Sequence, residues 1–372
     1  MDMTSLLTLM VSQKASDLFI TAGLPPTIKL DGSIKRVSEE TLSSAQSRDL
    51  VHSVMSASQR DEFGRTHECN FAISEPGLGR FRISAFYQRN DVGMVLRRIE
   101  RQIPTLESLN LPPIIKSLAM TQRGLVLFVG ATGTGKSTSL AAVIGYRNQN
   151  SAGHIVTLED PIEFIHQHAG CIVTQREVGL DTESYEVGLK NTLRQAPDVI
   201  LIGEVRTRET MDYAIAFAET GHLCLTTLHA NNANQALDRI INFFPEDRRE
   251  QLLMDLSLNL KAIVAQQLIV RAEGEGRRAA VEVLINTPLV AEHIRNGEIH
   301  RLKELMQRSV QQGMKTFDLA LFELYKAGEI RYEDAIRHAD SANEVRLMIK
   351  LDEEDPKKLA DTMAGISLQD PH

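Results

Sequence analysis

The chain reads as an α/β protein: a mostly parallel sheet covered by helices, with a small α+β domain before it and a helical bundle after it. Three observations predict this. Apolar runs GLVLFVG, HIVTLED, DVILIGEV and HLCLTTLH recur between helical patterns, as parallel strands buried on both faces require. Upstream, PTIKLDGSIKRV, RFRISAF and VGMVLRRI alternate apolar and polar side chains and break at Pro, Gly and Asp-Gly, the signature of half-buried strands and turns. From Pro288 the pattern is helical to about Leu351.

In chain order, Leu6 to Ala15 suits a short helix, DLFI a first strand, and Thr41 to Glu62, with Leu50, Val51, Val54 and Met55, one intervening helix. These belong to an N-terminal domain over residues 1–100. Residues 101–120 carry Pro104, Pro112 and Pro113 and read as a linker. The larger domain is expected over 121–351. Within it, Pro245 and Glu246 open a helix expected to reach about Arg271, AEGEGRR turns into the strand AAVEVLIN, and Gly297, Gly313 and Gly328 break the closing bundle. From Asp352 onward six acids face two lysines, and an acidic mobile tail is expected over 352–372.

A chain of 372 residues is long enough for two or three domains, and 42% hydrophobic with 24% charged residues is ordinary globular composition. The net charge of −8 argues against a protein whose main task is holding nucleic-acid phosphates, which takes a surplus of Lys and Arg. Asp2 stands where a secretory signal would carry basic residues, so no signal is read. The longest apolar runs, Gly124 to Ala131 and Val199 to Gly203, fall short of the roughly 20 residues that cross a bilayer, so membrane association is expected to be peripheral only. Cys69, Cys171 and Cys224 lie far apart without a CxxC pair, which fits neither a disulfide framework nor a thiolate zinc site and points to the cytosol.

The chemistry begins at GLVLFVGATGTGKSTSL. Gly130, Gly135, Lys136 and Ser137 match GxxxxGK[ST] between a strand-like run and a helix-forming run. In such a loop the residues from Gly130 through Thr132, Gly133, Thr134 and Gly135 wrap phosphates with backbone N–H groups, aided by the positive end of the following helix, which Lys136, Ser137 and Thr138 begin. Lys136 is expected to reach the β- and γ-phosphates of ATP, and the Ser137 hydroxyl to hold Mg²⁺. No [NT]KxD motif selects guanine, so ATP is preferred to GTP. Further on, DVILIGEVR ends a buried strand at Glu204, where P-loop enzymes place the acid that orders the Mg²⁺ shell.

Three other groups leave alternatives open. Glu159, Asp160 and Glu163 cluster around Pro161 at a strand end, where one of them suits orientation of the attacking water, while all three equally suit an acid-rich helix N-terminus. His222 and His229 flank LCLTTL as functional or as packing residues, and complete no zinc set. Arg80, Arg82, Arg97, Arg98 and Arg101 suit a solvated face, or a cation brought to a γ-phosphate across a subunit boundary.

Taken in order, ASDLFITAGLPPTIKLDG, GRFRISAFYQR, GATGTGKSTSL, VTLEDPIEFIH, LRQAPDVILIGEVR, AETGHLCLTTLHANNANQALDRIINFFP and QQGMKTFDLALFELYKAGEI resemble the secretion ATPases of the type II and type IV pilus systems, and within them the pilus retraction ATPases. The resemblance spans nearly the whole chain. It implies a PAS-like N-terminal domain, a RecA-like P-loop NTPase domain and a homo-hexameric ring that hydrolyses ATP with Mg²⁺. It also implies a place at the cytoplasmic, inner face of the inner membrane, a pilus platform protein there as partner, and a paralogous retraction ATPase as a further one. Carried over by motif, Lys136 and Ser137 belong to Walker A and Glu204 to Walker B. Glu163 becomes the catalytic base, His222 and His229 the histidine box, and Arg82 and Arg97 the N-domain arginines that approach nucleotide. The chain departs from the family at Ala196, where LRQDPD is usual, and in the weakened retraction block LVAEHIRNGEIH, Leu289 to His300. With the acidic tail, this resembles the accessory retraction branch more than the principal one. Two readings of other classes stay beside it, a nucleic-acid motor and a ring that binds ATP with little turnover.

Overall fold

A run such as GLVLFV offers no polar side chain to water, so it is stable only where both faces of a sheet are covered. The computed structural model describes residues 2–30, 33–99 and 102–353. It divides into two units, Met1–Gln102 with Ile162–Ile165, and Ile103–Pro161 with His166–His372.

The first unit contains α1 (Met3–Ser12), β1 (Asp17–Thr21), β2 (Thr27–Leu30), β3 (Ser33–Arg36), α2 (Ser44–Ser53), α3 (Ala57–Thr66), β4 (Glu68–Glu75), β5 (Gly79–Gln88) and β6 (Asp91–Arg98). Its strands form one sheet in the order β3-β2-β1-β6-β5-β4, every neighbouring pair antiparallel. Leu6, Met10, Val51 and Phe63 of the helices bury against Leu18, Phe81, Ile83, Met94 and Leu96 of the strands. The single helix expected over Thr41 to Glu62 is two helices. Ser43 with Gln46, and Ser56 with Gln59, each build a reciprocal capping box, and the second box restarts the chain in a new direction. β4 escaped the sequence reading although Cys69 and Phe71 alternate inward along it.

The second unit contains α4 (Ile114–Ala119), β7 (Gly124–Val129), α5 (Lys136–Asn150), β8 (Gly153–Glu159), β9 (Cys171–Glu177), α6 (Tyr185–Thr192), β10 (Val199–Ile202), α7 (Arg208–Glu219), β11 (Leu223–Leu228), α8 (Ala233–Phe243), α9 (Glu246–Asn259), β12 (Leu260–Val270) and β13 (Arg277–Ile285). It closes with α10 (Pro288–Arg295), α11 (Leu302–Arg308), α12 (Phe317–Lys326), α13 (Tyr332–His338) and α14 (Ala342–Glu353). The sheet runs β13-β12-β7-β11-β10-β8-β9 and is parallel except for the β12–β13 pair. Along β7 the buried side chains alternate between two cores. Leu125, Leu127 and Val129 join Met211, Ala236 and Leu256 on one face, while Val126 and Phe128 join Ile115, Leu140 and Ile144 on the other. The prolines of the 101–120 segment are followed by side chains packed into this second core, among them Leu106, Leu118 and Ala119.

One helix boundary is corrected. The helix opened by Pro245 stops at Asn259, not near Arg271, and LKAIVAQQLIV is strand β12. Ile263 and Val264 pack well on a pleated surface, and pairing with β7 buries the two on opposite faces. At the chain's end α14 takes in Asp352, whose carboxylate meets Lys326 Nζ at 2.5 Å; the rest of the expected tail, 354–372, lies outside the described residues.

Two features stand out energetically. The 3₁₀ turn before β10 ends at Ala196 in the left-handed region, φ 51° and ψ 54°. That conformation is unfavourable for alanine by roughly 1–2 kcal/mol and easier for asparagine. Ala196→Asn is therefore expected to stabilise the chain by up to about 1 kcal/mol, read as a higher urea midpoint at unchanged slope. The second is Glu282 on β13, 3% exposed, which accepts from Ala233 N at 2.8 Å and Phe317 N at 3.3 Å. Those are the first residues of α8 and α12, so one carboxylate caps two helices. Burial pushes its pKa from the ordinary 4.5 up to about 7, with Asp340 adding to the rise and Lys303 opposing it. A raised folded-state pKa gives stability that is full below the unfolded value and lost as pH rises through the folded one. Between pH 6 and 8 the chain should lose about 1 kcal/mol from this group. Denaturation of the wild type and of Glu282→Gln at both pH values measures it, the variant lacking that component.

Candidate nucleotide site

The parallel strands deliver their C-terminal ends to one edge of the sheet, where α/β proteins bind ligands. β7 ends there at Val129 and the loop 130–135 leads into α5. Gly135 precedes α5 at φ 87° and the helix has no side-chain cap, so N–H groups of its first turn are left to face an anion. A Cβ on Gly135 would sit 2.8 Å from Gln266 Nε2, and one on Gly130 would meet the Thr134 hydroxyl and lie 2.6 Å from the Gln266 carbonyl oxygen. Gln266, 3% exposed on β12, also accepts from Ser139 Oγ at 2.7 Å. It therefore braces both ends of the loop and the start of α5, a role no sequence motif signalled.

Within the loop, Thr134 Oγ1 donates to Ala131 O at 2.9 Å. Lys136 is 9% exposed and its Nζ donates to Gly130 O at 2.8 Å and Ala131 O at 2.9 Å. Thr132 and Gly133 are exposed at the tip, while Ser137 and Thr138 are half-buried.

Register brings the next two groups alongside. Leu228 pairs with Val129, which sets His229 level with Gly130. Ile202 pairs with Thr226, and Thr227 fixes the following turn by donating Oγ1 to Gly203 O at 2.7 Å and accepting Val205 N at 2.9 Å. Glu204 Oε1 meets His229 Nε2 at 3.0 Å, and Glu204 Oε2 accepts from Arg206 Nε at 2.9 Å and lies 2.8 Å from its Nη2. The carboxylate side chain is 16% exposed, so these partners offset most of its lost hydration. Arg206 was not singled out from the sequence.

His222 is not brought to this edge within the chain. It precedes β11 whereas His229 follows it, and six strand residues at about 3.3 Å each hold them at opposite ends of the sheet. Its Nδ1 instead meets Thr220 Oγ1 at 3.1 Å and Phe217 O at 3.3 Å. Of the acid cluster, Glu159 Oε1 accepts from Thr157 Oγ1 at 2.7 Å and Gln175 Nε2 at 3.1 Å, and Asp160 is exposed. Glu163 is exposed and falls in the 162–165 stretch grouped with the first unit.

In the first unit Arg82, half-buried on β5, lies opposite Arg97 on β6, and Arg97 lies opposite Asp17 on β1. Like charges directly opposed across a sheet are destabilising. Asp17, 4% exposed, relieves this by accepting from Arg97 Nε at 2.8 Å, its other oxygen taking the Ser16 hydroxyl at 2.8 Å. The acid in ASDLF, a charge inside an apolar strand run, was the available signal for it. Arg101 lies outside the described residues.

Residues 5–312 match the family model described as type II/IV secretion system protein. The chain belongs to that family. It is 68% identical to the type IV pilus ATPase PilU of Pseudomonas aeruginosa, over 99% of this chain and 97% of that protein. Against the type IV pilus retraction ATPase PilT of the same organism the identity is 40%, over 90% of this chain and 97% of PilT. The crystal structure of the pilus retraction motor PilT with bound ADP superposes with a TM-score of 0.87 at 38% identity, covering 93% of this chain and 99% of that one. Within the family the chain thus groups with the type IV pilus ATPases, and its fold is that of the RecA-like secretion ATPases with an N-terminal domain, both as the sequence blocks implied.

If the loop works as a phosphate cradle, its glycines carry the function. Gly135→Ala should weaken ATP binding about tenfold or more through about 1–3 kcal/mol of backbone strain and the collision with Gln266. A fluorescent-nucleotide titration reads this, with circular dichroism unchanged.

Proposed function

We propose that this chain is the ATPase subunit of a type IV pilus motor that powers or assists pilus retraction, and so twitching motility. The observation that carries the reading is the shared edge: a glycine-braced loop, Lys136, Glu204 and His229 gathered at the ends of β7, β10 and β11. The full-length similarity to PilU and PilT supports it.

In this reading the loop from Gly130 through Thr138 binds the phosphates of ATP, and Lys136 moves from the loop carbonyls to the β- and γ-phosphates. Ser137 and Glu204 are hard oxygen donors of the kind Mg²⁺ takes, and the Ser137 hydroxyl makes no hydrogen bond among the described residues. When bound with ATP, the ion neutralises charge on the β- and γ-oxygens. Glu163 takes a proton from water as the water oxygen bonds to the γ-phosphorus, and the bond from that phosphorus to the β–γ bridging oxygen breaks with its electrons leaving on ADP. His229 holds Glu204 in place; His222, Arg82 and Arg97 act on nucleotide from elsewhere in a ring of six copies. The ring works at the cytoplasmic face of the inner membrane on a pilus platform protein, with the joint between the 1–100 and 121–351 domains in the 101–120 segment, whose Leu106, Leu118 and Ala119 anchor it in the core of the larger one.

A second reading, that the ring is accessory and depends on a paralogous retraction ATPase, is favoured by the higher identity to PilU than to PilT. A nucleic-acid motor fits the net charge of −8 poorly. Lys136→Ala is expected to remove ATP turnover while light scattering still shows the assembled ring. Wild-type turnover in that variant would overturn the proposal.

A further inference from the structure

One side chain at this edge has no part in the scheme so far. Tyr185 opens α6, next to Ser184, whose hydroxyl accepts Val187 N as the helix cap. α6 seats closely on β8, since a Cβ on Gly188 would collide with Leu158 Cδ2. That seating carries the phenol to the end of β10. A Cβ on Gly203 would lie 2.8 Å from Tyr185 Oη and 3.1 Å from Glu159 Cα, so the residue before Glu204 is bare where the hydroxyl comes in.

The charges that act on the hydroxyl are Asp160, Glu159 and Glu204, with the Arg206 cation beyond them. Glu204 is committed to His229 and Arg206, and Glu159 to Thr157 and Gln175. The half-buried Tyr185 hydroxyl makes no hydrogen bond among the described residues. The hydroxyl is not among the buried polar atoms left without a partner, so water reaches it, and the partner that fits between a phenol and engaged carboxylates is water. Burial and the three acids push the phenol's pKa far up, so it stays a neutral donor.

We propose that Tyr185 is a positioning residue for hydrolysis, its hydroxyl donating to water held beside Glu204 in the orientation that attack on the γ-phosphate needs. This rests on the ATPase reading above. Positioning of this kind is worth roughly 10- to 100-fold in rate. Tyr185→Phe removes the oxygen alone and takes no protein hydrogen bond with it. We expect kcat to fall roughly 10- to 100-fold, with KM, the dissociation constant of a non-hydrolysable ATP analogue and the melting temperature all unchanged. An unchanged kcat overturns the proposal. So does a weakened analogue, which would make the hydroxyl a nucleotide contact, or a lowered melting temperature, which would make it a packing group. Lys136→Ala in the same assay separates the two claims: if it is inactive while Tyr185→Phe turns over normally, only the role of Tyr185 falls.

Discussion

A sheet covered on both faces leaves its central strands no place for charge except at their ends. β7, β10 and β11 are buried at every residue, and a charged side chain along them would lose hydration worth several kcal/mol. Glu204 and His229 follow immediately after such strands, and Lys136 follows the loop after another. Because β7, β8, β10 and β11 are parallel, their C-terminal ends open on the same edge. The site is thus where the burial constraint ends, and its membership is set by strand register more than by any single contact.

The few polar side chains inside the unit then fix where the helices lie. Ser139 with Gln266 ties α5 to β12, the strand beside the loop, and Glu282 ties α8 and α12 to β13. Deleting one partner of such a pair strands the other without water, at about 1–3 kcal/mol. α8 starts only a short turn after His229, so the Glu282 clamp also steadies the chain leaving β11. Around it Asp318 accepts from Lys303 Nζ at 2.9 Å and Ser341 N at 3.1 Å, and Asn232 Nδ2 donates to Asp340 at 3.2 Å. The loop after the site and the closing helices therefore share one polar network.

What the sequence made legible was local. The loop was readable because its glycines, lysine and serine must stand at fixed spacing, and the apolar strand runs because burial on both faces leaves no alternation to confuse. β12 was missed because LKAIVAQQLIV, placed after a helix without a Gly or Pro break, continues an apolar pattern that only pairing with β7 resolves as strand. The double capping box within Thr41 to Glu62 was present as Ser-x-x-Gln but was passed over as helix interior. His222 and His229 flank LCLTTL in the sequence, and as an extended strand that run holds them at its two ends. Gln266 and Tyr185 carried no motif, since each gains its role from a strand or turn far away in the chain.

The electrostatics of the edge explain why it needs help from outside the sheet. Glu159, Asp160 and Glu204 share this edge around the Tyr185 hydroxyl, with Arg206 paired to Glu204. That leaves the edge acidic where a triphosphate, itself strongly anionic, is proposed to bind. Backbone N–H groups and the start of α5 offset part of this. A further share is the part proposed for Mg²⁺ and for Arg82 and Arg97. Asp17 fits the same logic: by holding Arg97 apart from Arg82 it keeps two guanidinium groups adjacent on one sheet without their mutual repulsion pushing either aside. In the proposed reading, an acidic edge whose positive charge comes from Mg²⁺ and from Arg82 and Arg97 would turn over only with those suppliers in place, which would tie hydrolysis to assembly as well as to nucleotide binding.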